Sequence, residues 1–277
     1  MKLIHSLKTL KKDEKFHNLI WCTALSCLYA KESGFIIKLY TDSIAYEYLK
    51  HLPYDEIDVS LDELPNIKSI YANSKYYALK KEPLDSIHID CDVFLKNKNL
   101  YLEINDLDGY DLIVQNLEIR DKIIFNDKPH TKYGGGWDFA NLFKQYFHPI
   151  WLKDKCDAMI NCGIVGFNNQ QLKDDFIKSY EEAINILNNL EKFNDKIITD
   201  LVIEQQNLYD LCKYNDYKIK YLLNSNTIQE DAIVKGYQHL IGSSKHYNVT
   251  KIKQLVYKKD WDLYNTLNNL INKHERY

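Results

Sequence analysis

Short aliphatic and β-branched runs alternate along this chain with stretches of helical periodicity, and this alternation constrains the fold more than any other feature. It is typical of strands that are joined by crossover helices. Residues 2–5 and 35–40 are predicted as the first two strands, and the segment between them has apolar residues at helical spacing until Gly34. The sequence therefore predicts an α/β fold with a central, mostly parallel mixed sheet flanked by helices.

The same alternation continues to the end of the chain. Later strands are predicted at 86–89, 101–104, 111–115, 158–167 and 219–223. Helices are predicted at 74–81, 172–187, 198–212 and in a last segment whose buried stripe is Tyr257, Trp261, Tyr264, Leu267 and Ile271. No repeat, low-complexity tract or linker interrupts the pattern, so residues 1–277 are predicted as one domain.

Composition excludes several classes of function. The chain has 36 basic and 39 acidic residues, a net charge of -3, so no overall field attracts nucleic acid or an anionic membrane. No apolar stretch is long enough for a signal peptide or a membrane-spanning helix. The six cysteines show no zinc spacing or C-x-x-C pair, and most of them lie in apolar surroundings that suit buried thiols, so neither a zinc site nor a disulfide is expected. We therefore expect a cytoplasmic protein that neither binds nucleic acid nor spans a membrane.

Two carboxylates follow the strand predicted at 86–89, in the tripeptide Asp90-Cys91-Asp92. The carboxyl ends of parallel strands are where such sheets bind ligands, and paired carboxylates suit Mg²⁺ or Mn²⁺ bridging to phosphate oxygens. Arginine occurs only at Arg120 and Arg276, so a diphosphate would be neutralised by lysine or metal. The tripeptide alone is also compatible with a solvated turn, because Asp favours turns.

The stretch from His88 to Leu95 resembles the metal-dependent GT-A glycosyltransferases, in particular the glycogenin-like and lipopolysaccharide galactosyl- and glucosyltransferase family. Three further segments follow in that family's order: Asn161-Cys162-Gly163, Glu204-Gln205 and His239 to Lys245. The resemblance spans roughly residues 1–246. It implies a GT-A fold, with a donor half to about residue 95 and an acceptor half over 96–277. It also implies transfer of a sugar from a nucleoside-diphosphate sugar, with retained anomeric configuration.

The resemblance also implies a metal centre. The ligands of Mn²⁺ or Mg²⁺ would be Asp90, Asp92 and His239. Lys245 would reach the donor diphosphate and assist its departure as a catalytic residue. His246-Tyr247 follow Lys245 where the family has Pro-Trp. From the residues alone, His239 is also compatible with a satisfied core or surface histidine.

Sugar contacts are implied for five positions. Asn161 and Gly163 would hold sugar hydroxyls, Glu204 and Gln205 would face the reactive sugar as catalytic residues, and Lys75 would contact the donor. The family pair is Asp-Gln, so Glu204 extends the carboxylate by one methylene. A plain β-bulge at Asn161, an exposed helix carboxylate at Glu204 and a solvated lysine at Lys75 remain open alternatives.

Four polar residues at the ends of the first two predicted strands lie where such folds bind a nucleobase and ribose. They are His5, Ser6, Thr41 and Asp42. Residues of these types at strand ends also serve as helix caps, and both interpretations stay open. Gly134 to Gly136 predict a flexible loop, and the adjacent Trp137 is the best-placed aromatic for packing on a sugar.

The predicted function is metal-dependent glycosyl transfer to a carbohydrate, lipid-linked or peptide acceptor, such as a bacterial polysaccharide. One alternative is a nucleotidyltransferase, but that class commonly has a glycine-rich N-terminal phosphate loop, and no glycine precedes Gly34. Another alternative is a non-catalytic module that binds sugar or nucleotide without turnover.

Overall fold

The computed structural model describes residues 1–9, 11, 13–65, 72–119, 124–125, 128–129, 146–153, 156–189, 201–242 and 244–274. Its strands are β1 (Lys2–Leu7), β2 (Ile36–Thr41), β3 (Glu56–Asp58), β4 (Ser86–Ile89), β5 (Val93–Leu95), β6 (Leu112–Ile119), β7 (Ile124–Phe125), β8 (Lys128–Pro129), β9 (Ala158–Phe167), β10 (Ile219–Tyr221) and β11 (Tyr237–His239). Seven of them form one mixed, mostly parallel sheet, and β5–β11 and β7–β8 form two small antiparallel pairs. With its flanking helices, this sheet confirms the predicted α/β class.

The helices are α1 (Glu14–Glu32), α2 (Ser43–Leu49), α3 (Asn73–Lys81), α4 (Asn99–Asn105), α5 (Gln170–Asn189), α6 (Asn207–Tyr214), α7 (Ile228–Lys235), α8 (Ser244–Tyr247), α9 (Val249–Lys259) and α10 (Trp261–His274). Ser60–Glu63 is a 3₁₀ turn, and Leu201–Gln206 is π-helical. Among the described residues, no helix is long and apolar enough to cross a membrane. All six cysteines are buried free thiols.

Local signals explain where the first elements begin and end. Asp13 caps α1 by accepting a hydrogen bond from the backbone N–H of Phe16, which satisfies one of the free donors of the first turn. After α1 the chain passes through Gly34 at φ 90°, a left-handed conformation that glycine adopts without strain. Asp42 caps α2 through the N–H of Ala45. The predicted opening of strand, helix and strand is therefore confirmed, and α2 follows it.

The chain forms two compact units. The first unit comprises residues 1–65, 88–105 and 232–277. In it, β2 pairs in parallel with β1 and with β3, while β5 and β11 form an antiparallel pair. The prediction of a single domain stays a prediction.

The second unit comprises residues 66–87 and 106–231. There β6 pairs in parallel with β10 and antiparallel with β9, and a bulge interrupts the second pairing between Val114 and Asn116. Its core includes Tyr76 of α3, stacked on Tyr180 of α5 at 3.5 Å between ring centroids.

Three predicted elements were wrong in type or extent. Residues 101–104 are helical, within α4, because Leu100 and Ile104 are buried four positions apart while Leu102 between them is 68% exposed. The predicted last helix is two helices that meet at Asp260. Tyr257 and Trp261, which are 47% and 54% exposed, lie outside the buried stripe.

The third of these elements, predicted as one helix over 198–212, is π-helical over Leu201–Gln206 before α6 begins. Gly134 to Gly136 and Trp137 lie outside the described residues, so the predicted loop and its aromatic contact stay predictions.

Candidate active site

The Asp90-Cys91-Asp92 tripeptide forms a tight turn between β4 and β5. The backbone N–H of Val93 donates to the carbonyl of Asp90 at 3.0 Å, so β5 begins directly after the second carboxylate. The side chain of Asp90 is 30% exposed, whereas that of Asp92 is 8% exposed. One carboxylate is therefore accessible to a ligand and the other is embedded in the first unit.

The β5–β11 pair carries His239 to this turn. His239 lies opposite Val93 in the antiparallel register, and the next residue, Leu240, donates its N–H to the carbonyl of Asp92 at 3.0 Å. The Nε2 atom of His239 lies 3.4 Å from Oδ1 of Asp92 and 4.0 Å from Oδ2 of Asp90. The pairing thus fixes a histidine beside two carboxylates.

These three residues fit a divalent cation. Each offers one ligand atom, and the three atoms lie within 4.8 Å of one another. Two hard carboxylate oxygens and one imidazole nitrogen match the preferences of Mn²⁺ and, with more oxygen from water or phosphate, of Mg²⁺. Asp90, Asp92 and His239 could therefore hold a metal ion, as the motif resemblance implied.

Lys245 of α8 supplies a positive charge to the same cluster. Its Nζ atom donates to Oδ2 of Asp92 at 2.5 Å. Burial favours a higher pKa for Asp92, but the hydrogen bonds and charges of His239 and Lys245 outweigh it and hold that pKa well below its usual range. Burial lowers the pKa of Lys245, and the adjacent Asp92 more than compensates, so the net pKa is raised. Both groups are therefore charged at neutral pH.

The segment that replaces the family's Pro-Trp is held by a side-chain contact. Nδ2 of Asn18, on α1, lies 3.2 Å from Nδ1 of His246, directly after Lys245. The chain enters α8 from Gly242 at φ 62°, a left-handed conformation that suits glycine. Asn18 therefore restrains the short helix that carries Lys245.

His5 occupies the centre of a buried network rather than an open strand end. Its Nδ1 lies 2.6 Å from the hydroxyl of Tyr54 and its Nε2 lies 3.0 Å from Oγ of Ser26. Because Ser26 donates its hydroxyl to the carbonyl of Val93, its oxygen accepts from Nε2–H, and Nδ1 accepts from Tyr54. Burial lowers the pKa of His5 to about 3, in keeping with a neutral imidazole.

This network makes stability depend on pH. The folded-state pKa of about 3 lies below the value of about 6.5 for an unfolded histidine, so the stability present above pH 6.5 is lost as the pH falls. For wild type, His5 should account for a loss of about 1.5 kcal/mol in unfolding free energy between pH 6.5 and 5. In urea unfolding, the free energy of unfolding of His5→Gln should depend less on pH than that of wild type. The control variant His51→Gln, at an exposed histidine, should keep the pH dependence of wild type. If the free energies of unfolding of wild type and His5→Gln change with pH in the same way, His5 is not the source of this pH dependence.

The other three strand-end candidates also make internal contacts. Thr41 is fully buried and donates its hydroxyl to the carbonyl of Leu7 at 3.0 Å. Asp42 accepts from the N–H of Ala45 at 2.7 Å and from the hydroxyl of Thr9 at 3.0 Å. The structure thus gives Asp42 the capping role that the sequence left open. Contacts of His5, Ser6, Thr41 and Asp42 with a nucleotide stay predictions.

Lys75 and Glu204 form a buried ion pair in the second unit. Nζ of Lys75 donates to Oε1 of Glu204 at 2.8 Å and to the carbonyl of Cys162 at 2.9 Å. Both side chains are almost completely buried, so neither the solvated lysine nor the exposed helix carboxylate describes them. Glu204 and Gln205 lie on the π-helical stretch, a conformation frequently found at functional sites.

Asn161 lies beside a carboxylate that the motifs do not include. Its Nδ2 donates to Oε1 of the buried Glu118 on β6 at 2.8 Å, and its Oδ1 accepts from the N–H of Gly163 at 3.0 Å. Glu118 could have been suspected from the sequence, because it is a charged residue between two apolar residues of a strand. Within the described residues, the buried Oε1 of Gln205 has no hydrogen-bond partner.

Similar folds occur among solved glycosyltransferases. The galactosyltransferase LgtC, in complex with donor and acceptor sugar analogs, is 13% identical, with 93% of this chain and 96% of that chain covered and a TM-score of 0.47. The bifunctional glycosyltransferase WbbM is 11% identical over 96% of this chain and 51% of that chain, with a TM-score of 0.49. The glycosyltransferase GlyE of Streptococcus pneumoniae TIGR4 is 13% identical, with 99% of this chain and 63% of that chain covered and a TM-score of 0.47. At such identities the likeness concerns the fold alone.

No curated protein matches the chain. A family model described as a family of unknown function (DUF6734) matches residues 2–271. Because that match covers almost the whole sequence, the chain belongs to the DUF6734 family.

Proposed function

We propose that this protein is a metal-dependent glycosyltransferase that uses a nucleoside-diphosphate sugar. The observation that carries the proposal is the meeting of Asp90, Asp92, His239 and Lys245 in the first unit, although Asp92 and Lys245 are 153 residues apart in sequence. Two carboxylates, an imidazole and an ammonium group together suit a metal-bound diphosphate.

Asp90, Asp92 and His239 are proposed to hold Mn²⁺ or Mg²⁺. When bound, such an ion supplies positive charge that stabilises a departing nucleoside diphosphate. Lys245 is proposed to donate hydrogen bonds to the same diphosphate, and its charge gains importance as negative charge develops on the leaving group. His239 contributes a neutral imidazole nitrogen to the ion, since a protonated ring has no free lone pair.

In the second unit, Lys75, Asn161, Gly163, Glu204 and Gln205 are proposed to bind the sugar. The unpartnered Oε1 of Gln205 offers an acceptor for a sugar hydroxyl, and the polar pair of Asn161 and Glu118 offers further hydrogen bonds. Lys75 neutralises Glu204, so we assign that carboxylate to orienting hydrogen bonds. The same proposal includes retention of the anomeric configuration and transfer of a hexosyl group. It also includes a nucleobase site near His5, Ser6, Thr41 and Asp42. The acceptor is proposed to be a carbohydrate, a lipid-linked molecule or a peptide in the cytoplasm, such as a bacterial polysaccharide.

The proposal is tested by incubating the protein with a panel of nucleoside-diphosphate sugars and Mn²⁺ and measuring released nucleoside diphosphate. We expect at least one donor to be hydrolysed and the activity to disappear with chelator. In parallel, nucleoside diphosphate with Mn²⁺ should raise the melting temperature, because a ligand that binds only the folded protein stabilises it. At a ligand concentration of about 100 times Kd, the free energy of unfolding rises by about 2.7 kcal/mol.

The two measurements together distinguish the alternatives. A metal-dependent rise in melting temperature without turnover of any donor would favour a non-catalytic binding module. If neither turnover nor a thermal shift occurs with any nucleotide at millimolar concentration, the proposed donor site is wrong.

A further inference from the structure

A second buried histidine lies next to the metal cluster, and the proposed roles do not use it. His88 is on β4, is 1% exposed, and lies two residues before Asp90. Its Nε2 is 2.8 Å from Oγ of Ser6 on β1, the neighbouring strand of the sheet. Its Nδ1 is 3.8 Å from Oδ1 of Asp90. The side chains of Ser6, His88 and Asp90 therefore form a chain that leads from the interior of the first unit to the accessible carboxylate.

The carboxylate selects the tautomer of this imidazole. If Nδ1 carried no proton, its lone pair would face the negative Oδ1 of Asp90, which is unfavourable in a buried environment. With the proton on Nδ1, the N–H dipole faces the carboxylate, and Nε2 accepts a hydrogen bond from the hydroxyl of Ser6. The serine therefore holds both the tautomer and the plane of the ring.

The two oxygens of Asp90 face different histidines. Oδ1 is directed at Nδ1 of His88, and Oδ2 lies 4.0 Å from Nε2 of His239. We infer that His88, held by Ser6, is a positioning residue that turns Oδ2 of Asp90 toward the metal site. The inference rests on the proposed function, because it assigns a purpose to the orientation of a proposed metal ligand.

The composition of β4 supports a specific role for this side chain. Its buried neighbours Ile87 and Ile89 are aliphatic, and burying a polar ring among them costs free energy unless its nitrogens are used. Partners that hydrogen-bond metal ligands fix the geometry of the site, and their loss typically weakens metal binding by 10- to 100-fold. The 3.8 Å separation is longer than a hydrogen bond, so we assign to His88 an orienting electrostatic contact.

The test measures Mn²⁺ affinity alone, by the electron paramagnetic resonance signal of free Mn²⁺, on the full chain. His88→Leu should bind Mn²⁺ about 10-fold more weakly than wild type, at the lower end of the range for hydrogen-bonded partners, because the contact is longer than a hydrogen bond. His88→Asn keeps an amide N–H near the position of Nδ1 but cannot reach Ser6, so its loss should be smaller, and Ser6→Ala should show a loss of several-fold. His17→Leu is the matched control, because His17 is also buried in the first unit and packs on the rings of Phe16 and Tyr48.

Asp90→Asn separates this inference from the metal centre itself. If Asp90→Asn binds weakly while His88→Leu binds like wild type, the inference is wrong and the metal centre stands. If wild type binds no Mn²⁺, or binds it no better than Asp90→Asn, the metal centre is wrong and the inference fails with it. Should His88→Leu not fold, wild-type affinity in both His88→Asn and Ser6→Ala would overturn the role of His88.

Discussion

Replacing Asp92 by Asn is expected to lower metal-dependent donor turnover by about a thousandfold or more, because the change removes an anionic ligand from an ion that needs hard oxygen. Asn still accepts a hydrogen bond from Lys245, so the protein should fold. The measurement is nucleoside diphosphate released from the active donor at saturating Mn²⁺. The matched control is Asp108→Asn, at an exposed turn residue, which should keep wild-type turnover.

The same variant has a second expected effect without metal. From the sequence, two adjacent carboxylates suggest that neutralising one would relieve repulsion. In the structure, however, Asp92 is buried between His239 and Lys245, which stabilise its charge. Asp92→Asn should therefore lower the free energy of unfolding by about 2 kcal/mol at neutral pH. Wild-type turnover in this variant would refute the catalytic metal role of the turn and favour a binding module.

Replacing Lys75 by Met is expected to lower the free energy of unfolding by about 3–5 kcal/mol, because it leaves a buried carboxylate without its ionic partner. Glu204 is almost completely enclosed, so water cannot substitute for the lysine. The matched control is Lys80→Met on the same helix, α3, where Lys80 pairs with Glu181 and both side chains are exposed. That change should cost less than about 1 kcal/mol, since exposed ion pairs contribute little.

A double variant sharpens this comparison. Lys75→Met with Glu204→Leu removes both charges, so it should recover much of the stability that Lys75→Met loses. Denaturant unfolding of wild type, Lys75→Met, Glu204→Leu and the double variant gives the coupling energy of the pair. If Lys75→Met and Lys80→Met lose the same free energy of unfolding, other groups compensate the charge of Glu204. The buried pair then contributes no more to stability than the exposed pair.

Local patterns predicted most of the fold because caps, glycines and periodicity act over a few residues. Asp42 and Gly34 mark element ends through their own side chain and backbone. The segment 101–104 was predicted wrongly because four apolar-rich residues fit a strand as well as a helical turn, and the buried spacing of Leu100 and Ile104 is visible only with their partners in place. The π-helical stretch has no local signal, since it reflects how the helix fits its surroundings.

The candidate site was accessible from the sequence only where a motif exists. Asp90, Asp92, His239 and Lys245 were grouped through resemblance, and the pairing of β5 with β11 that unites them depends on contacts between distant segments. Glu118 belongs to no motif, and His88 begins the Asp-x-Asp segment without an assigned role there. Both become visible through their neighbours, Asn161 and Ser6. Conversely, the full burial of Thr41 cannot be foreseen at a strand end, where polar residues are normally near solvent.

The late position of β11 has a consequence for biosynthesis. Asp92 is made before its partner Lys245, which follows 153 residues later, so a growing polypeptide carries an incomplete cluster until those residues have been added. Closing so large a loop is entropically costly and occurs only after the intervening chain has emerged. A nascent chain still held by the ribosome at residue 230 would already contain both aspartates, yet it would have neither His239 nor Lys245 to compensate their charge. Loading of the proposed metal site should therefore be a post-translational event.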